Sequence, residues 1–201
     1  QKFNKNKILK KFFTKFPMLK NKNFYLYLGR FHEKKGCDII IESVKKLENK
    51  FNSTILLVGP MKGSNYEKKL KDLIDKYNLQ KKILLSNALF GDLKWGAIQA
   101  SKAMLLASHG ENVGISLVES LSFGKPVLTT FKVNISDVIL KYKAGFISKD
   151  EVNDFAKSLM KFNNLNKNNL KKLSKNSFNC YKKNFDLSSN QNSLSKFLKK
   201  N

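Results

Sequence analysis

Two glutamates, Glu111 and Glu119, stand with seven residues between them. The intervening Asn112-Val113-Gly114-Ile115 reads as a loop running into a helix. A helix that starts near Gly114 aims unpaired backbone N–H groups and the positive end of its dipole outward, and such an end attracts phosphate. Carboxylates are poor partners for phosphate but good acceptors for hydroxyl groups. The ligand that suits these features has a phosphate centre with hydroxylated rings on either side, as a nucleoside diphosphate sugar does. Earlier in the chain Arg30 and Lys35 lie between Gly29 and Gly36. They supply a planar guanidinium and a mobile ammonium, a pair able to neutralise a diphosphate. Each feature alone has a plainer reading, since spaced glutamates also describe two solvated side chains and the chain holds 39 Lys and Arg. The loops have to be weighed together.

The elements that would position these residues alternate. Short apolar runs at 24–28, 54–58, 83–85, 103–107, 126–129 and 145–147 read as strands. Segments at 37–49, 65–77, 93–101, 115–123 and 136–141 carry apolar residues at helical spacing, one after each strand. This βαβα order predicts an α/β fold with a doubly wound, Rossmann-like parallel sheet and crossover helices. Further helices are expected at 151–162, 170–181 and 187–199. Parallel sheets of this kind bind ligands beyond the carboxyl ends of their strands, which is where the loops 29–36, 59–63 and 108–114 fall.

Composition bounds the rest. A chain of 201 residues with 41% hydrophobic content can build a core, which excludes disorder throughout. Its apolar runs are far shorter than the roughly 18 to 20 residues that span a bilayer, and the basic N-terminus lacks the features of a secretion signal. A cytoplasmic protein is expected. Cys37 and Cys180 show no metal or disulfide spacing and read as ordinary thiols. The net charge of +24 is concentrated at the ends: residues 1–22 carry eight lysines and no acid, and residues 157–201 carry eleven lysines against Asp186 alone. Such ends can hold an anionic membrane face, although a bias toward Asn, Lys, Phe and Ile would produce them without any partner. The aromatics and cations form no cluster of the kind nucleic-acid binding needs.

As a set, Leu28-Gly29-Arg30 with Lys35-Gly36, Gly91-Asp92-Leu93-Lys94-Trp95, Gly110-Glu111-Asn112-Val113-Gly114 with Glu119, Gly124-Lys125-Pro126-Val127 and Lys132-Val133-Asn134-Ile135 resemble the group 1 retaining glycosyltransferases. The resemblance covers roughly residues 24–162. It implies the C-terminal, nucleotide-sugar-binding half of a GT-B enzyme, in which two Rossmann-like domains close around donor and acceptor. Residues 23–185 would then form the donor domain. Residues 1–22 would be a basic linker, and 186–201 a helix that packs on the other half. Linker and final helix would be incompletely packed here, leaving Phe12, Phe13, Phe16 and Phe197 exposed.

The same resemblance assigns roles. Arg30 and Lys35 would clamp the donor diphosphate and stabilise the departing nucleotide. Glu111 would lie near the transferred sugar, and Glu119 would accept from the ribose hydroxyls. The amides of Asn112, Val113, Gly114 and Ile115 would cradle sugar and phosphate, with Gly29 opening the first loop. Ser86, Asn87 and Ala88 would form the backbone edge that meets the base, though relatives more often have glycine at Asn87. Val113 replaces a commoner aromatic, and Ser136 a tryptophan. His32, His109 and Trp95 read as loop and core packing. The resemblance implies no cofactor and no essential metal. The implied partners are a UDP-, GDP- or ADP-sugar and a glycan or lipid-linked acceptor in cell-surface polysaccharide synthesis. A nucleotide-sugar-binding module that is catalytically incomplete is the alternative.

Overall fold

A computed structural model describes residues 4–186. Its six strands are β1 (Phe24–Leu28), β2 (Thr54–Val58), β3 (Ile83–Ser86), β4 (Ala103–Leu106), β5 (Val127–Thr130) and β6 (Gly145–Ser148). They form one sheet in the order β3-β2-β1-β4-β5-β6, with every neighbouring pair parallel. The helices are α1 (Lys5–Lys15), α2 (Cys37–Leu47), α3 (Asn65–Lys76), α4 (Gly91–Ala100), α5 (Ile115–Ser122), α6 (Ser136–Lys141), α7 (Val152–Asn163) and α8 (Lys167–Asn184). This is the doubly wound Rossmann-like architecture that the alternation predicts. Strands covered on both faces should read as continuous apolar runs rather than alternating ones. Accordingly β4 and β5 are buried at every residue, and β1 at all but its last.

The topology sets the site. Chain order reverses between β1 and β4, which pair directly through Tyr25 with Ala103 and Leu26 with Met104. The loops after these two strands therefore open on one crevice at the switch point. The loop after β2 is fixed by the start of α3. Ser64 caps that helix by accepting from the Glu67 amide at 3.2 Å, and the Glu67 carboxylate accepts from the amides of Lys62 and Gly63 at 2.9 and 2.8 Å. Those amide bonds hold the Glu67 carboxyl below its usual range.

The N-terminal segment departs from expectation. Instead of an exposed linker, residues 5–15 form α1, which packs along α4. Phe12 is wholly buried, Phe16 nearly so, and Phe13 is half-buried. The physical reason is a stripe of Ile8, Phe12 and Phe16 at helical spacing, started by Asn4, whose side chain accepts from the Lys7 amide. Gly96 on α4 makes the close approach: a Cβ there would lie 2.3 Å from the Ile8 carbonyl oxygen. Phe12 stacks on Phe24 of β1 with ring centroids 5.6 Å apart, so α1 belongs to the core. The expected helix at 187–199, with Phe197, lies outside the described residues. Cys37 and Cys180 are buried free thiols.

Candidate functional site

Beneath the first loop, the buried Tyr27 of β1 donates its hydroxyl to the Arg30 carbonyl at 2.7 Å. Burial pushes the Tyr27 phenol far above its usual range, so it stays a donor at any physiological pH. What the fold fixes at Arg30 is therefore the backbone, and its side chain stands exposed. The loop then turns through a short 3₁₀ segment, Glu33–Lys35, where His32 accepts from the Lys34 amide at 3.2 Å. Gly36 ends the turn at φ +65°, and a Cβ there would lie 2.0 Å from the Ala107 carbonyl oxygen. Only glycine combines that dihedral with that approach.

Contact at Gly36 brings the loop after β1 against the loop after β4. The Ser108 hydroxyl and the His109 amide both donate to the Lys34 carbonyl, at 2.7 and 2.9 Å. Next to this joint the Lys35 ammonium meets the Glu111 carboxylate directly. Glu111 is also joined to the loop after β5. Its amide donates to the Lys132 carbonyl at 3.1 Å, and its carbonyl accepts from the Asn134 amide at 3.0 Å. Three loops from three adjacent strands thus converge on one residue, through its side chain on one side and its backbone on the other. Beside it opens a cleft of about 530 Å³ lined by Lys34, His109, Gly110, Glu111, Asn112, Lys132 and Asn134.

Gly114 caps α5, whose first-turn amides form the positive end of that helix. Val113 and Ile115 flank the cap as exposed apolar side chains. Glu119 lies one turn further and is held by Lys94 of α4 at 2.6 Å. The structure therefore brings Lys35 and Glu111 together, while Glu119 occupies a second pair of its own. Ser86, Asn87 and Ala88 follow at the end of β3. The Asn87 side chain accepts from the amides of Met61 and Ala88, at 3.2 and 2.8 Å, which ties the loops after β2 and β3 to each other. The Asn87 side chain is thus engaged in holding these two loops together.

Sequence reading did not find the partners. Lys94 and Lys132 fall in segments that carry the resemblance, but nothing there marks either as a partner of a glutamate, and Lys34 looks like any other lysine in a chain so rich in them. Asp150, which bonds His109 Nδ1 at 3.0 Å, is 41 residues away from it. Partial burial would raise the Asp150 carboxyl, but the bond from His109, a backbone hydrogen bond and the nearby Lys132 charge together hold it below its usual range. Trp95 packs face to face on Phe123, with centroids 5.6 Å apart and planes 9° from parallel.

The model of the glycosyl transferases group 1 family matches residues 10–179, most of the chain. The chain belongs to the group 1 glycosyltransferases. Among curated relatives, an uncharacterized glycosyltransferase of Methanocaldococcus jannaschii, MJ1178, is 27% identical over 143 residues, covering 71% of this chain and 38% of the relative. The group 1 fold is also evident in solved structures. A glycosyltransferase from Rickettsia africae superposes with a TM-score of 0.83 at 22% identity, over 96% of this chain and 52% of the other. Alr3699/HepE of Anabaena, solved in complex with UDP and glucose, gives 0.80 at 18% identity, over 99% and 55%. This chain thus spans between a third and about half of the length of such relatives. Among the described residues no helix is long and apolar enough to cross a membrane.

Proposed function

We propose that this chain is the donor-binding half of a retaining glycosyltransferase that moves a sugar from a nucleotide-sugar donor to a glycan or lipid-linked acceptor. The observation that carries the reading is the convergence of Lys35 and Glu111 at the mouth of the switch-point crevice, beside the amino end of α5. Breaking an anomeric bond to a diphosphate develops positive charge on the sugar and negative charge on the outer phosphate. Arg30, Lys35 and the amides of Asn112 to Ile115 meet the second charge, and the Glu111 carboxylate faces the first. Lys35 exchanges its hold on Glu111 for the phosphate when the donor enters. Glu119 takes the ribose hydroxyls, and the edge formed by Ser86, Asn87 and Ala88 takes the base. With cations in this role, the donor needs no divalent ion.

A uridine donor is favoured by the Anabaena neighbour's complex with UDP and glucose, with GDP and ADP as the alternatives to be compared. Because this chain spans only part of its relatives' length, we expect it to bind donor by itself and to transfer sugar only with an acceptor-binding half. The exposed lysines of α1, Lys5, Lys7, Lys10, Lys11 and Lys15, suit contact with the anionic inner face of a membrane. Isothermal calorimetry against UDP, GDP, ADP and their sugars, with and without chelator, tests the reading. Binding of one nucleotide that persists in chelator and is clearly weakened in Arg30→Ala and Glu119→Ala is the expected result. A folded chain that binds none of them overturns it.

A further inference from the structure

We infer that Lys94 is a positioning residue that presents the Glu119 carboxylate to the ribose of the donor, an inference that rests on the donor-site reading above. Lys94 Nζ donates to Glu119 Oε1 at 2.6 Å, joining α4 to α5. The contact is sheltered, with only 27% of the Lys94 side chain and 23% of the Glu119 side chain exposed. The lysine is held from a second direction as well. Its ammonium lies 4.1 Å from the centroid of the Trp95 ring, and that ring is stacked on Phe123 at the end of α5. Cation–π attraction and the ion pair therefore act on the same ammonium from two sides.

Such anchoring matters for recognition. A glutamate on a helix surface samples several staggered rotamers, and freezing one of them on binding weakens the complex. Lys94 has already selected the rotamer. A carboxylate offers about four lone-pair sites on two oxygens, so one bond from Lys94 leaves capacity for a vicinal diol. The chain path agrees with this placement. The segment that forms the base edge, residues 86–88, leads through two residues, Leu89 and Phe90, into Gly91–Ala100, the helix that carries Lys94. One continuous stretch thus serves base and ribose, the two neighbouring parts of a nucleoside.

The test is calorimetry of this chain with UDP and GDP and with their 2′-deoxy and 3′-deoxy analogues, for the wild type, Lys94→Met, Lys94→Arg and Glu119→Ala. Methionine keeps an unbranched apolar stem against Trp95, and melting curves establish that each variant is folded. Lys94→Ala repeats the comparison where methionine disturbs packing. The wild type is expected to prefer the ribonucleotide by about tenfold or more. In Lys94→Met that preference should shrink to about threefold or less, and Lys94→Arg should restore it. A lysine that merely ties two helices together would shift the melting point and leave the preference intact. Full preference in Lys94→Met, or tighter binding of the ribonucleotide because an obstructing ammonium has gone, overturns this inference alone. A folded wild type that binds neither nucleotide, or whose preference survives Glu119→Ala, overturns the donor-site reading with it.

Discussion

Two lysine–glutamate pairs lie along the segment 111–119, and they are built differently. Lys35 and Glu111 sit on two loops, each fixed by backbone hydrogen bonds to a neighbouring strand's loop. Lys94 and Glu119 sit on two helices, and their lysine is further held by an aromatic stack. The first pair is held through its main chain and through the ion pair itself, and in the proposed reading substrate exchanges its partners. The second has side chains already fixed, which suits a group that receives a ligand without rearranging. In the proposed reading equal chemistry serves unequal tasks, according to whether the scaffold holds the backbone or the side chain.

The largest test of that contrast removes a cation at the first pair. In a protein that joins this chain to its acceptor half, Lys35→Ala or Arg30→Ala should raise the barrier to transfer by about 3 to 4 kcal/mol, a 10²- to 10³-fold loss in kcat. Steady-state kinetics reads the loss, and thermal melting should show little change. A lowered melting point with kcat preserved would make Lys35 a structural tie and erase the contrast.

Next comes the scaffold beneath that pair. Gly36→Ala places a Cβ against the Ala107 carbonyl at a left-handed dihedral, and should destabilise the fold by about 2 to 4 kcal/mol. Denaturant unfolding measures it. A variant as stable as the wild type would mean that the two loops are not pressed together as described.

A smaller effect separates the glutamates. Glu119→Ala should weaken nucleoside diphosphate binding by roughly 1.5 to 3 kcal/mol, the range for charged hydrogen bonds. Glu111→Gln should change it less, because the proposed reading puts Glu111 beside the sugar rather than the nucleotide. Calorimetry with the bare nucleotide distinguishes them, and equal losses would remove the division of labour between the two pairs.

How much of this was legible follows from where each signal resides. The strands could be read because parallel strands buried on both faces are unbroken apolar runs, as Ala103–Leu106 is. Lys35 and Glu111 stood out because turn glycines and a helix start surround them. α1 was missed although Ile8, Phe12 and Phe16 carry a helical stripe, because eight lysines in 1–22 made the segment look solvated. Its partner Gly96 is visible only once α4 is in place. Lys94 was read only as part of a motif segment, and its pairing with Glu119 could not be read. Its importance lies in being near Glu119, Trp95 and Phe123 simultaneously, and three-dimensional proximity leaves no trace in the spacing of one lysine among many.

A third lysine near α5 gives the mildest test. Lys125 lies three residues past the end of that helix, half-buried, and burial together with the nearby Lys5 lowers its pKa to about 8. Where Lys35 and Lys94 have carboxylates, Lys125 meets desolvation and like charge. Unfolded, it would hold its proton up to about pH 10.5. Between these values the unfolded chain binds more protons than the folded one, so stability should rise with pH through that window and the contribution should be flat below pH 8. Lys125→Met should flatten the rise by about 1 to 3 kcal/mol between pH 8 and 10, read from denaturant unfolding at both pH values. Subtracting the variant's slope removes the general gain from neutralising other lysines. Identical slopes would show that Lys125 remains hydrated and charged, and that burial beside α5 needs no carboxylate to hold a cation.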